Sequence, residues 1–454
     1  MPMTQGSTEN SLLRLHNPVV QGTCFYLDGF PALKEGKEWQ ASLREFIEVK
    51  GTLGMTTNQT LFRQLLETGV LDGRLRLFKT QGLSAEAVYQ TLYNEAATEA
   101  ARLFSAVHAH WPSEGRVSQE ASALLTELDP LVREVQRIAQ AMRGFGSFTK
   151  IPNLKVGPRA IRQAVAGGHV QPNITLVFSD RHYLDTVEGY LLGLQDWVEK
   201  KAGSPAGIYS VNSLFVSRVD RVADPLIEEA AAQDERLRLL KGKVAVAQAK
   251  IIYRMFEAIF LGKLFADPEG LYADAEGQVM RERMTRLSGL YARLARAGAQ
   301  PQRLLIASSG VKSDQPYSAL LYVLPFLGPW CANTMPEPTL EAICRFAASI
   351  SEEQAGALRQ RNLMSEPLPA IPTDIQPREE WDRILLLTPQ QRRCDEIAEL
   401  TPDFILREAR DRVFAPRGTS LRQIGDALRD KGAESFTADE RATLELIQTK
   451  LRQL

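Results

Sequence analysis

The segment FGSFTKIPNLKVGPRAIRQAVAGGHVQPNITLVFS, residues 145–179, decides the fold. Gly146–Asn153 is an apolar run of strand length (Phe145, Phe148, Ile151) closed by Pro152. Residues 157–168 have helical spacing and stop at two glycines, Gly167 and Gly168. Gln171–Ser179 is again β-rich. Strand, helix and strand joined by short turns form a crossover unit, whose two strands lie parallel.

The same alternation continues outward in both directions. Upstream, Thr23–Asp28 reads as a strand ending in an acid, followed by Gly29 and Pro31. Residues 38–50 read as a helix and Gly51–Asn58 as a second short strand. Residues 59–68 and 84–110 are helical, Arg116–Ala121 is a third strand, and Pro130–Met142 is a helix. Downstream, 180–200 is helical and Ile208–Val219 a strand. Residues 222–298 hold two or three helices, including Lys243–Phe260. Arg303–Ser309 is a further strand, and Leu320–Thr334 contains the last strand or a pair of short extended runs. About eight such units predict an α/β fold, a closed (β/α)8 TIM barrel. An open doubly wound sheet would call for a Gly-rich turn after the first strand. Asp28-Gly-Phe-Pro is not one, and neither GxGxxG nor GxxxxGK[ST] occurs.

Residues 1–20 read as an irregular or partly helical arm. After residue 340 the texture changes. A helix follows Pro338, then Pro367, Pro369, Pro372 and Pro377 mark a connector. Residues 378–454 are charged and helical, with Thr388-Pro and Thr401-Pro as helix starts. The predicted organisation is a barrel over 1–345 with a short N-terminal arm, and a mainly helical C-terminal extension over 346–454. That extension is either an accessory subdomain or a set of helices packed on the barrel.

Composition narrows the function. The net charge is −1 across 454 residues, so no global field favours nucleic acid or an anionic membrane. The first 20 residues contain Glu9, Arg14 and His16 and lack an apolar core, so no signal peptide is expected. No uncharged apolar run reaches the ~18 residues of a membrane span. The four cysteines (Cys24, Cys331, Cys344, Cys394) are scattered, which argues against a disulfide framework or zinc site and fits a reducing cytoplasm. His108 and His110, at i and i+2 of a helix, do not share a face and read as surface residues. No metal or cofactor is expected.

Lys150 stands out inside this framework. Lysine is almost never fully buried without a partner or a task. Spacing alone leaves two readings: a side chain that snorkels from a strand end, or an amine that attacks a carbonyl to form a Schiff base. Other polar residues fall near the C-terminal ends of predicted strands, where barrel enzymes build their sites. Each has a bland reading. Asp28 suits a turn, Asn58 suits an N-cap, Glu120 suits a solvated strand edge, and Arg218 suits an ion pair with Asp220. Asn173 and Thr175, at i and i+2, share one strand face. The Lys241–Lys250 charge run reads as a solvated helix face.

Taken together, MTTN (55–58), VSQE (117–120), FTKIP (148–152), NITLVFS (173–179), SLFVSRVD (213–220), KVAVAQAK (243–250), ASSGVK (307–312) and NTMPEPTLEA (333–342) resemble transaldolase. The likeness is strongest to the longer bacterial branch, and the terminal LRDKGAESF (428–436) fits that branch too. The motifs run in the family's order across roughly residues 20–345. Residues 345–420 do not match and read as an elaboration. The resemblance implies a Schiff-base barrel enzyme of the non-oxidative pentose phosphate pathway, acting on sugar phosphates. It moves a dihydroxyacetone unit from a ketose phosphate, sedoheptulose 7-phosphate or fructose 6-phosphate, to an aldose phosphate, glyceraldehyde 3-phosphate or erythrose 4-phosphate.

Residue by residue, it implies Lys150 as the Schiff-base lysine, Glu120 as the acid/base acting through a water, and Thr175 as the holder of that water. Asp28 would move a proton during carbon–carbon cleavage. Asn58, Asn173 and Ser213 would hold the dihydroxyacetone hydroxyls, and Arg218, Ser308 and Lys312 the phosphate. A Schiff-base aldolase without efficient transfer is the alternative enzyme, and a non-catalytic barrel binding sugar phosphate or a partner is the alternative outside catalysis. Either a monomer or a homodimer fits. Two departures stand out. Gln59 replaces the proline usual after TTN, which frees φ, restores a donor and predicts a looser or re-aimed loop at Asn58. Leu154 and Lys155 replace small residues after the lysine strand.

Overall fold

The computed structural model describes residues 11–17, 22–31, 38–200, 203–373 and 378–454. Its centre is a closed barrel of parallel strands in sequence order. These are β1 (Cys24–Asp28), β2 (Gly54–Thr56), β3 (Arg116–Glu120), β4 (Ser147–Pro152), β5 (Pro172–Val177), β6 (Ser210–Phe215), β7 (Gln302–Ala307) and β8 (Cys331–Met335). β5 and β6 are buried at every position, as parallel strands covered on both faces must be.

The segment that decides the fold shows why the units form. Pro158 sits in the first turn of the helix Gly157–Ala166, where its missing N–H costs nothing. Ala160, Ile161, Ala164 and Val165 fall on one face and are buried. Burial of each branched side chain contributes about 1.5–3 kcal/mol. Past the helix end Gly168 adopts φ +82°, and a Cβ there would lie 2.0 Å from the Trp197 ring.

The expected strands recur within a few residues, with informative exceptions. The apolar run Ile208–Val219 is not one strand: β6 ends at Phe215, and Ser217–Ala231 is a helix, which puts Arg218 in a helical first turn. Leu320–Thr334 yields one strand, β8, preceded by a 3-10 turn at Leu324–Phe326. A helix at Asp72–Thr80 has no counterpart in the sequence reading. Of the N-terminal arm, Ser11–Arg14 form a 3-10 turn, whereas 1–10 and 18–20 lie outside the described residues, as does Pro377 of the connector. His110 is exposed, but His108 is half-buried, with Nδ1 2.8 Å from the Glu114 carbonyl oxygen.

Beyond β8, Thr388 and Thr401 cap helices as expected, their hydroxyls accepting from Gln391 N and Phe404 N. Leu368–Pro369 (β9) and Glu399–Leu400 (β10) form a two-residue antiparallel pair. This region overturns the solvated reading of Lys241–Lys250. Lys243 is fully buried and donates to the carbonyls of Leu239 (2.8 Å) and Ile371 (2.7 Å). Lys250 is buried and donates to the carbonyls of Leu363 and Glu366, the latter at 2.9 Å. Burial pushes the Lys250 amine down to about 7. Three of these four carbonyls come from residues 363–371, more than 110 positions along the chain, so no local pattern could reveal them.

The last helix, Leu421–Gln453, touches the loop or first helical turn that follows each of several strand C-terminal ends. Asp439 accepts from Thr60, Glu440 binds Ser122 and Ala123, Arg422 binds Asp180, and Gly432 packs on Arg218. It therefore lies over the barrel's C-terminal face. All four cysteines are free thiols. Among the described residues no helix is long and apolar enough to cross a membrane, and no group of three His, Cys, Asp or Glu side chains is placed to hold a metal ion.

Candidate active site

Strand register sets the site. Asp28 pairs with Thr56, and Thr56 with Ser118, across β1, β2 and β3. Glu120 pairs with Lys150, and Lys150 with Asn173, across β3, β4 and β5. Two rows of polar side chains thus meet near the C-terminal mouth.

Lys150 is buried, 5 % exposed, and its Nζ donates to the Thr57 carbonyl at 3.0 Å and to Glu120 Oε2 at 3.3 Å. Snorkelling to solvent is therefore excluded. Burial pushes the Glu120 carboxyl up to about 7. The Lys150 charge and hydrogen bond oppose this, while the Glu440 and Asp28 carboxylates add to it. Asp28, at the end of β1, accepts from the Thr56 hydroxyl at 2.6 Å, and Thr56 in turn lies 2.7 Å from Thr334 Oγ1. Desolvation raises the Asp28 carboxyl above its ordinary range, against the opposing pull of Lys150, Thr56 and Arg218.

Asn173 is fully oriented. Its Nδ2 donates to Ser118 Oγ at 2.9 Å and its Oδ1 accepts from Ser213 Oγ at 2.6 Å. Two positions on, the Thr175 hydroxyl is buried with no hydrogen-bond partner among the described residues. A buried hydroxyl in a polar site is suited to a substrate hydroxyl or an ordered water. Around it, between Ile174 and Val177, the β5–β6 register shifts, and Leu176 takes φ +61°, a conformation costly for a branched side chain.

Asn58 caps the helix Gln59–Glu67, its Oδ1 accepting from Leu61 N at 2.9 Å. Gln59 does not loosen this loop. It is fully buried, and its Nε2 donates to the Ala121 carbonyl at 3.0 Å, tying the loop after β2 to the end of β3. Lys155 is exposed and Leu154 half-buried in the turn after β4.

Arg218 stacks on the Phe215 ring at 5.3 Å and makes no hydrogen bond or ion pair among the described residues. Asp220 is not its partner; that carboxylate accepts from Ala245 N and Tyr322 OH. Burial lowers the Arg218 guanidinium somewhat, opposed by Asp28 and Glu120. Ser308, at φ +54° just past β7, lies 3.0 Å from Ser217 Oγ, beside Arg218 at the same helix start. A helix N-terminus next to an unpaired arginine can hold a phosphate. Lys312 is not drawn in: it stands exposed in the loop after β7, and its side chain makes no hydrogen bond among the described residues.

Sequence reasoning passed over Ser118, Thr56, Tyr93 and Glu440. Ser118 was within reach, since i and i+2 places it on the Glu120 face. Tyr93, whose hydroxyl lies 2.7 Å from Thr57 Oγ1, carried only a helical core signal.

Residues 39–368 match the family described as Transaldolase/Fructose-6-phosphate aldolase. The chain is 32% identical over 344 residues to Transaldolase 1 of Streptomyces avermitilis, covering 75% of this chain and 81% of that protein. It is 30% identical over 324 residues to a transaldolase of Renibacterium salmoninarum, covering 71% and 78% respectively. For a Thermobifida fusca transaldolase the identity is 31%, over 66% of this chain and 74% of the relative. A closed eight-stranded parallel barrel, a buried lysine–glutamate pair at its mouth and these matches together place the chain in the transaldolase/fructose-6-phosphate aldolase family.

Proposed function

We propose that the chain is a Schiff-base transaldolase of the non-oxidative pentose phosphate pathway, acting in the cytoplasm. It transfers a dihydroxyacetone unit from sedoheptulose 7-phosphate or fructose 6-phosphate to glyceraldehyde 3-phosphate or erythrose 4-phosphate. The observation that carries the reading is the buried Lys150 amine held 3.3 Å from a carboxyl whose proton equilibrium lies at about 7. A group poised near neutrality gives and takes protons with similar ease.

In this reading the Lys150 amine attacks the ketose carbonyl. Glu120, through a water held by Thr175, protonates the departing hydroxyl, so that water leaves and an iminium remains. Asp28 takes the proton of the C4 hydroxyl. The C3–C4 bond breaks, its electron pair moves into the iminium to give an enamine, and the aldose phosphate departs. The acceptor aldehyde then takes the enamine's electron pair, Asp28 returns its proton to the new alkoxide, and hydrolysis frees Lys150. Asn173 and Ser213, with the Asn58 amide, hold the dihydroxyacetone hydroxyls. Arg218 and Ser308, at the start of the helix after β6 and the end of β7, hold the phosphate.

Borohydride trapping with fructose 6-phosphate, followed by peptide mass mapping, tests this. A dihydroxyacetone-sized adduct on Lys150 is expected, and its absence with several ketose phosphates would refute the reading. The matched family also includes fructose-6-phosphate aldolases. Turnover that needs no acceptor aldose would assign the chain to that activity.

A further inference from the structure

Glu440 belongs to the last helix, yet both of its carboxylate oxygens end on the loop that follows β3. Oε1 accepts from the Ser122 hydroxyl at 2.6 Å, and Oε2 from the Ala123 amide at 2.7 Å. One turn earlier, Thr437 Oγ1 donates to the Ala123 carbonyl at 3.2 Å. Gln59 holds the Ala121 carbonyl, and the Ala121 amide donates to the Lys150 carbonyl at 3.1 Å. Residues 121–123, immediately after Glu120, are thus gripped from the last helix, from the loop after β2 and from β4.

Glu440 is 2 % exposed, and among the described residues no lysine or arginine pairs with it. A buried carboxylate without a cation is costly, and hydrogen bonds to two neutral donors offset only part of that cost. An apolar residue would pack the helix at lower cost. The placement therefore points to a role beyond packing.

We infer that Glu440 is a positioning residue for Glu120, clamping the 121–123 loop so that the Glu120 carboxyl stays within reach of the Lys150 amine. This rests on the Schiff-base reading of that pair. Burial raises the Glu440 carboxyl above its ordinary range, against the Ser122 and Ala123 hydrogen bonds, and in its ionised form it has a second effect. Several groups face Glu120: Lys150 from β4, Asp28 from β1, Arg218 from the helix after β6, Tyr89 and Tyr93 from the helix Ala85–Leu103, and Glu440 itself. The two cations favour the ionised form of Glu120, while the carboxylates of Asp28 and Glu440 disfavour it. Removing the Glu440 charge moves the ionisation of Glu120 to lower pH.

The test is the rate of borohydride-trapped imine formation with fructose 6-phosphate in the full-length protein, across about pH 5–9. Glu440→Ala, which removes the clamp, is expected to slow imine formation roughly tenfold to a hundredfold while leaving KM within about twofold. Glu440→Gln keeps an acceptor for Ala123 and a partner for Ser122. It is expected to recover most of the rate, with the pH profile displaced to lower pH. Lys450→Ala cuts the tie of the same helix to Asp72, at 2.7 Å, and should leave both rate and profile unchanged.

Wild-type rate and profile in Glu440→Ala would overturn the inference. So would an undisplaced profile in Glu440→Gln, or an equal loss in Lys450→Ala, which would mark a general packing effect. Should Glu440→Ala not fold, Ser122→Ala removes one clamp bond and must slow imine formation without moving the profile; a wild-type rate there overturns the inference as well. If the wild type forms no adduct on Lys150 at all, the failure lies in the Schiff-base reading and not in the role of Glu440.

Discussion

Glu120→Gln separates the protonic role of Glu120 from its packing. The folded protein holds the Glu120 proton more tightly than the unfolded chain does, because burial moves the carboxyl from its ordinary 4.5 up to about 7. A carboxyl raised in the folded state stabilises the fold at low pH. That contribution is complete below the unfolded value and is lost as pH climbs through the folded one. At about 1.4 kcal/mol per pH unit, the interval from 4.5 to about 7 corresponds to about 3 kcal/mol. Wild type should therefore lose about 3 kcal/mol relative to Glu120→Gln between about pH 4 and pH 8. The assay is urea unfolding of both proteins at matched pH values. The difference between them cancels every titrating group that does not interact with Glu120, so the curve reports Glu120 together with its coupled neighbours Lys150, Asp28 and Glu440, and the range stays below that of ordinary lysines. A flat difference curve would refute the reasoning, since it would mean that Glu120 ionises alike in both states. Catalysis supplies an independent reading: loss of a general acid/base should lower kcat by about 10²–10⁴-fold, with Lys150 still present.

Two further perturbations probe opposite ends of the barrel. At its N-terminal end, Glu114 is 3 % exposed, pairs with Arg303 and accepts from Tyr26 OH at 2.6 Å. Burial would raise its carboxyl, but Arg303 and Tyr26 prevail and hold it below its ordinary value. Glu114→Ala strands the Arg303 charge and should cost about 3–5 kcal/mol of stability in urea at neutral pH, with kcat per folded molecule unchanged. At the C-terminal face, a Cβ on Gly432 would stand 2.8 Å from Leu176 Cδ2 and 3.5 Å from Arg218 Nη1. Only the Leu176 approach is a clash, and Leu176 is fully buried, so Gly432→Ala should push the last helix outward from Leu176 and loosen its ordinary contact with Arg218, at a cost of about 1 kcal/mol, roughly a fivefold rise in KM for fructose 6-phosphate. Equal effects on phosphorylated and unphosphorylated ketoses would refute a phosphate role for Arg218.

What the sequence disclosed and what it hid follow from the range of the interactions. Period-two and period-3.6 patterns report local backbone geometry, so the barrel strands were readable to within a few residues. The shared face of Asn173 and Thr175 was readable for the same reason. Where an apolar run continues across a strand end, as at Phe215–Ser217, the pattern has no mark for the change to helix, and Arg218 was set on the wrong element. The larger errors concern buried polar groups whose partners are distant in the chain. Lys250 finds its carbonyls 113 and 116 positions away, and Glu440 meets Ser122 across 318. No window of sequence contains both ends of such a contact, so a buried lysine is indistinguishable from a solvated one until the fold brings its acceptors. Gln59 makes the same point at shorter range. Judged by φ freedom alone it should loosen the Asn58 loop. Its side chain instead spans to Ala121, 62 positions on, and ties that loop to the strand carrying Glu120. The replacement of proline thus exchanges a local restraint for a tertiary one, and it does so at the same 121–123 segment that Glu440 grips.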